Sequence, residues 1–265
     1  MRDGDVIEVL EAQVGGKPVI YVFPPKGREE MDVSVTVSLV PHWKFSAVYP
    51  VVPVQPHQLE KLPGECVTWN VCTHQDQTMT EKSTGLDVSY LYWEATTQGL
   101  PLSPPDSPRS GQQQSEDRFD PISSDLSDND SISVVLPLSR VTQYLDAALK
   151  ELGLHTEART SFITYWLPSF NRHTHIAVRF VSQNAYERAA PLTIFPKPDV
   201  VVRVFMLFKG VPVSDVESGL WSNATERGVD GVERWRDVVG LDGKDELSDE
   251  SLFRILEWGG MEVRR

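Results

Sequence analysis

Long hydrophobic runs are missing from this sequence, and none approaches the roughly 18 apolar residues that a membrane-spanning helix requires. The opening MRDGDVIEVLEAQ also lacks the basic and apolar regions of a secretion signal. Clusters of Lys and Arg are equally scarce. The 25 basic residues face 38 acidic ones, for a net charge of −13. Binding to nucleic acid needs grouped cations to neutralise phosphates, so that partner is excluded. Cysteine is nearly absent, with only Cys66 and Cys72. On one extended strand they would sit about 20 Å apart, well beyond the roughly 7 Å that a disulfide bridges. Two free thiols suit a reducing compartment, so a cytoplasmic protein without membrane contact is expected. Phosphate loops, dinucleotide fingerprints, GxSxG elbows and HExxH are absent too, and no cofactor is expected. Gly15-Gly16-Lys17 has no Ser or Thr after it and precedes a strand.

What is present is enough apolar material for a large core: 265 residues, 40% hydrophobic, with seven tryptophans. Residues 1–98 read as short strands with no helix between them. KPVIYVF at 17–23 is nearly continuous and closed by Pro24-Pro25, while Val33, Val35, Val37 and Leu39 alternate with polar residues. Phe45–Val52 is a third strand, and Pro53–Gly64 is a proline-rich loop. Val67, Trp69 and Val71 then face away from Cys66, Thr68, Asn70 and Cys72, the two cysteines packing as small hydrophobes; a hairpin leads into Met79–Glu81. In Val88–Ala95, Tyr90, Tyr92 and Glu94 oppose Leu91 and Trp93. This pattern predicts an antiparallel β-sandwich.

Residues 99–131 have the Ser, Pro, Gln and Asp content of a disordered acidic linker. From 132 to 265 the period changes and predicts an α+β module. A helix follows Ser139 and ends at Gly153, and a second runs from Thr156 to Pro168. His175–Val181 is a strand with Ile176, Val178 and Phe180 on one face and His175, Ala177, Arg179 and Val181 on the other. A helical turn at 184–189 and the strands Leu192–Phe195 and Val200–Phe208 come next. Residues 213–250 are acidic and irregular, with a short helix near Val232–Val239. Leu252–Trp258, Gly259-Gly260 and Met261–Val263 read as a terminal hairpin. The fold expected is therefore α+β: an N-terminal antiparallel β-sandwich packed with a C-terminal mixed α/β module.

Five phrases carry a resemblance: KPVIY at 17–21, YLYWE at 90–94, FITYWLP at 162–168, PDVVVRVFM at 198–206 and EWGG at 257–260. Together and in this order, they resemble a family of uncharacterised fungal and bacterial proteins. The resemblance implies that both halves form one recurring unit and that the two acidic segments are local additions. It supplies no activity and no catalytic residue.

The strongest chemical signal is charge inside apolar strands, at Glu94, Arg179, Arg203 and Glu257. Desolvation costs several kcal/mol per ion, so each group needs a partner. One reading is a buried carboxylate–arginine pair that fixes strand register. The other makes Glu94 and Glu257 a catalytic acid and base, with Tyr92, Trp93, Arg179, Arg203 and Trp258 binding the ligand. Paired carboxylates among aromatics suit glycoside hydrolysis, with oxygens about 5–5.5 Å apart for retention or about 6.5–9.5 Å for inversion. His173 and His175, two apart on a strand, are the metal candidates, although no sequence signal links a third ligand to them. The expected function is a soluble protein that binds a small molecule or another protein, with no oligomeric state specified. The alternative is a glycosidase-like hydrolase with its carboxylates in a cleft between the halves. A third reading makes 101–131 a phosphorylation-controlled tether.

Overall fold

The computed structural model describes residues 14–28, 30–59, 62–97, 119–241 and 246–263. Eight strands come first: β1 (Val14–Phe23), β2 (Met31–Leu39), β3 (Trp43–Tyr49), β4 (Gln55–Leu59), β5 (Leu62–Thr73), β6 (Met79–Glu81), β7 (Leu86–Val88) and β8 (Leu91–Thr97). After β9 (Val134–Pro137) come α1 (Leu138–Glu151), α2 (Thr156–Phe170), β10 (His175–Val181), α3 (Gln183–Ala189), β11 (Leu192–Phe195) and β12 (Val200–Val211). Short helices α4 (Val213–Glu217), α5 (Ser222–Arg227) and α6 (Arg234–Val239), then a 3₁₀ turn at Glu246–Ser248, lead to β13 (Arg254–Glu262).

The fold is α+β, built on two mostly antiparallel sheets stacked as a sandwich. A seven-stranded sheet runs β3-β8-β1-β13-β12-β10-β9, and a second runs β11-β2-β5-β6-β7 with β4 on β5. Alternation decides which face each strand gives to which core. Ile20, Val22, Leu91, Trp93, Phe205 and Ile255 of the large sheet meet Val33, Val35, Val37, Val67, Trp69 and Val71 of the small one. The opposite face of the large sheet, including Val19, Tyr21, Val178, Met206 and Trp258, is covered by α1, α2 and α6 through Leu145, Phe162, Trp166 and Trp235. The molecule therefore has three layers, with the large sheet in the middle.

Strands from both ends of the chain share that central sheet. β1 and β8 lie on one side of β13, and β12, β10 and β9 on the other. The expected boundaries at 1–98 and 132–265 thus do not divide the strands into separate sheets. Between 99 and 131, residues 99–118 lie outside the described residues. From Phe119 onward the chain is docked: Phe119 packs on Trp43 and Phe205 at 5.9 and 5.2 Å, and Leu126 is fully buried. The 213–250 segment is equally built in. Trp221 and Trp235 are buried, Asp128 accepts from the Ala224 N–H and the Asn223 amide at 2.8 Å each, and Arg227 donates to the carbonyls of Ser133 and Asp130. The two acidic stretches hold each other, which local composition does not reveal.

The end of the chain differs from its expected hairpin. Gly259-Gly260 continues β13, which runs antiparallel to β1 and parallel to β12. The glycines serve close packing. A Cβ on Gly259 would meet Pro18 at 3.0 Å, and one on Gly260 would meet the Met206 carbonyl at 2.9 Å and the Trp166 ring at 3.1 Å. The proline-rich segment expected as a loop contains β4, which tolerates Pro56 because it pairs on one side only, with β5. α2 passes through Pro168 and ends at Phe170, two residues beyond the expected stop.

Candidate functional site

The expected carboxylate pair does not form. Glu257 lies level with Ile20 of β1, which pairs with Leu91 of β8. Glu94 is therefore two strands across and three residues along, placing the Cα atoms about 14 Å apart. The side chains also leave opposite faces. Trp93, next to Glu94, donates its indole N–H to Glu257 at 3.0 Å between the sheets, while Glu94 accepts from Ser46 at 3.0 Å and Tyr92 at 3.3 Å on the helical side. Glu94 and Glu257 therefore do not form the acid–base pair of a glycosidase.

Glu257 instead belongs to a buried network. β12 and β13 run parallel with Arg203 directly paired to Glu257, and Arg203 Nε donates to Glu257 Oε2 at 2.5 Å. Arg203 also contacts Glu187 and lies 4.3 Å over the Tyr186 ring, while the Tyr186 hydroxyl donates to Glu257 at 3.3 Å. Burial alone would lower the Arg203 pKa, but Glu257, Tyr186 and Glu187 outweigh it and hold the guanidinium charged. Burial and Glu257 push the Tyr186 hydroxyl upward, and burial raises Glu187 despite the arginine. Such a sealed pair fixes register, because slipping either strand by one residue would send one charge to the opposite face. Arg179 lies elsewhere, 3.7 Å from Asp130.

The histidines do not gather ligands. His173 packs against Gly210 and stands 3.4 Å from Glu262, while His175 lies 3.4 Å from its neighbour Thr174. Among the described residues, the group with metal-ligand proximity is Glu30, Cys72 and His74.

The concave feature with mixed chemistry lies at one end of the helical layer. Here the last turns of α2 overhang the start of β1 and the end of β13. The cleft encloses about 450 Å³ and is lined by Val14, Gly16, Tyr165, Trp166, Arg172 and Glu262, among others. Its shape follows from local sequence. Gly16 has no side chain, and a Cβ there would meet the Tyr165 hydroxyl at 2.8 Å and the Trp166 ring at 2.9 Å. The register shifts between Gly16 and Val19 against β13 and between Gly15 and Val19 against β8, and Lys17 adopts φ 49 within this bulge. That left-handed conformation costs a non-glycine residue on the order of 1–2 kcal/mol. It accompanies a lysine laid across α2: Lys17 Nζ donates to Ser161 at 3.1 Å and lies 5.3 and 5.5 Å from the Tyr165 and Trp258 rings.

Charge marks the rim. Arg172 donates to Glu262 at 2.6 Å, and Glu262 also faces His173. Burial lowers the Lys17 pKa, with Glu157 opposing, and raises the Tyr165 and Tyr92 hydroxyls with help from Glu94. The Trp166 indole N–H is buried with no partner among the described residues. None of the candidates drawn from sequence lines this cleft: Tyr92 and Glu94 bond each other, His173 contacts Glu262, Trp258 is buried against Phe162 beneath α2, and Trp93, Arg203 and Glu257 lie in the core between the sheets. Tyr165, Trp166, Arg172 and Glu262 were missed as site residues. The dense aromatic content of FITYWLP was the available signal. No protein-family model, curated protein or solved structure matches the chain.

Proposed function

We propose that the protein is a binding module whose small ligand enters the cleft beneath the end of α2. One observation carries this reading: a recess of about 450 Å³ joins an aromatic wall, Tyr165 and Trp166, to a charged rim, Arg172 and Glu262. That volume falls in the range of small-molecule sites, which combine apolar walls with a few placed polar groups. The ligand class that fits is a flat ring bearing hydrogen-bond acceptors, since Arg172 and the Trp166 N–H among the lining residues are donors. The five phrases behind the family resemblance fall on β1, β8, α2, β12 and β13, and FITYWLP supplies Tyr165, Trp166 and Pro168 of the lining. We read them as marking one shared unit. No helix among the described residues is long and apolar enough to cross a membrane.

The test is a thermal-shift screen of ring-containing acids, nucleosides and saccharides. A ligand at 100 times its dissociation constant stabilises by about 2.7 kcal/mol. At about 2–4 °C per kcal/mol for a chain of this size, the expected rise is about 5–10 °C. Arg172→Ala, at the half-exposed rim, and Gly16→Ala, which fills the recess, should abolish it. A shift that survives both changes, or no shift with any class, refutes the reading.

A further inference from the structure

A second constellation sits on the outer face of the small sheet, on the side of the molecule away from the cleft. Its basis is strand register. β2 and β5 run antiparallel with Asp32 opposite Cys72 and Met31 opposite Thr73, so the next position sets Glu30 beside His74. Residues two apart on a strand share a face. Met31, Val33, Val71 and Thr73 point inward and are buried, which turns Glu30, Asp32, Cys72 and His74 outward. One ligand atom from each of Glu30, Cys72 and His74 lies within 4.8 Å of the other two. Cys72 is half-buried, not packed away as a small hydrophobe.

The histidine is also oriented. Thr80 on β6 donates its hydroxyl proton to Asp87 at 2.6 Å, and His74 Nε2 lies 2.7 Å from the same hydroxyl oxygen. A hydroxyl has one proton to give and an ionised carboxylate can only accept. The His74–Thr80 bond must then be donated by Nε2–H, which leaves the lone pair of the neutral ring on Nδ1. Metal-binding histidines are held in this way, with one nitrogen anchored toward a carboxylate and the other presented to the ion. The surrounding charge attracts a cation: Lys82, bound to Asp32 at 2.6 Å, is outnumbered by Glu30, Asp32 and Asp87.

We propose that Glu30, Cys72 and His74 form a site for a divalent metal of the zinc type, with Thr80 and Asp87 supporting the histidine. Thiolate, imidazole and carboxylate are the zinc donor set, and three protein ligands leave the fourth tetrahedral position to water. Donors around zinc stand about 3.3–3.8 Å apart. Rotation of the exposed Glu30 and of Cys72 closes the present spacing. Cys72 binds as the thiolate and releases its proton to solvent.

Titration of the purified, chelator-treated full chain with Co²⁺, the spectroscopic substitute for Zn²⁺, tests the site. One equivalent should produce the near-ultraviolet sulfur-to-cobalt band and tetrahedral visible bands, and Zn²⁺ should bleach both. Cys72→Ser should abolish the near-ultraviolet band, whereas Cys66→Ser, six residues away on the same strand face, should retain it. Thr80→Val should keep the band but weaken affinity about tenfold or more. No band at one equivalent, or a band that persists in Cys72→Ser, overturns the proposal. Unchanged affinity in Thr80→Val overturns the orientation assigned to His74.

Discussion

Glu257→Gln tests whether the sealed Arg203–Glu257 pair organises the central sheet. The amide oxygen can still accept from Trp93 and Tyr186, which now donate at 3.0 and 3.3 Å. The change therefore removes charge more than shape. Arg203 is 2% exposed and Glu257 fully buried, so the arginine keeps as carboxylate partner only Glu187, whose own side chain is half exposed. Stranding one member of a buried pair costs about 3–5 kcal/mol. The network retains one carboxylate, so the expected loss lies at the lower end, about 3 kcal/mol, or about 6–12 °C in Tm. Arg203→Met should cost a similar amount by leaving Glu257 uncompensated. The double variant Arg203→Met/Glu257→Gln removes both charges at once, and its loss should fall short of the two single losses combined by about 3 kcal/mol, since neither charge is then left stranded. Urea denaturation of the four proteins gives the coupling directly. Single losses below about 1 kcal/mol, or losses that simply add, would refute a register-fixing pair.

Other perturbations probe the remaining layers. Gly260→Ala places a Cβ against the Met206 carbonyl at 2.9 Å, and because that oxygen belongs to a strand the loss should be about 1–3 kcal/mol in urea melts. Burial alone would raise the Glu81 carboxyl, but donors from Ser83 and Thr84 hold it below its ordinary value. Its contribution is therefore complete above the unfolded value of about 4.3 and is lost as pH falls through the lower folded one. Urea midpoints should decline below about pH 4.3 in the parent and more gently in Glu81→Gln. Burial against Tyr21 and Phe23 lowers the His155 pKa, with Glu157 opposing, so protonation favours unfolding and stability should fall below about pH 6.5. His155→Gln should flatten that part of the profile.

Periodicity determined the elements and their faces. His175–Val181 and Leu192–Phe195 are strands at the expected bounds, and the outward and inward sets of β5, β8, β10 and β12 follow simple alternation. The charges inside apolar strands also announced a buried partner, and Arg203–Glu257 is that partner. These features are local, since alternation and desolvation act wherever a strand packs. Only the tertiary structure decided which strands are neighbours. Gly259-Gly260 looks like a turn until β12, Pro18 and Trp166 close around it. Glu94 and Glu257 look like a pair until the order β8-β1-β13 sets a strand between them and alternation turns them to opposite faces. The acidic stretches look unstructured until Asp128 meets α5. The cleft and the Glu30–Cys72–His74 group likewise join residues far apart in the chain. Their proximity depends on sheet order and register, which the pairing of distant segments sets and local sequence does not encode.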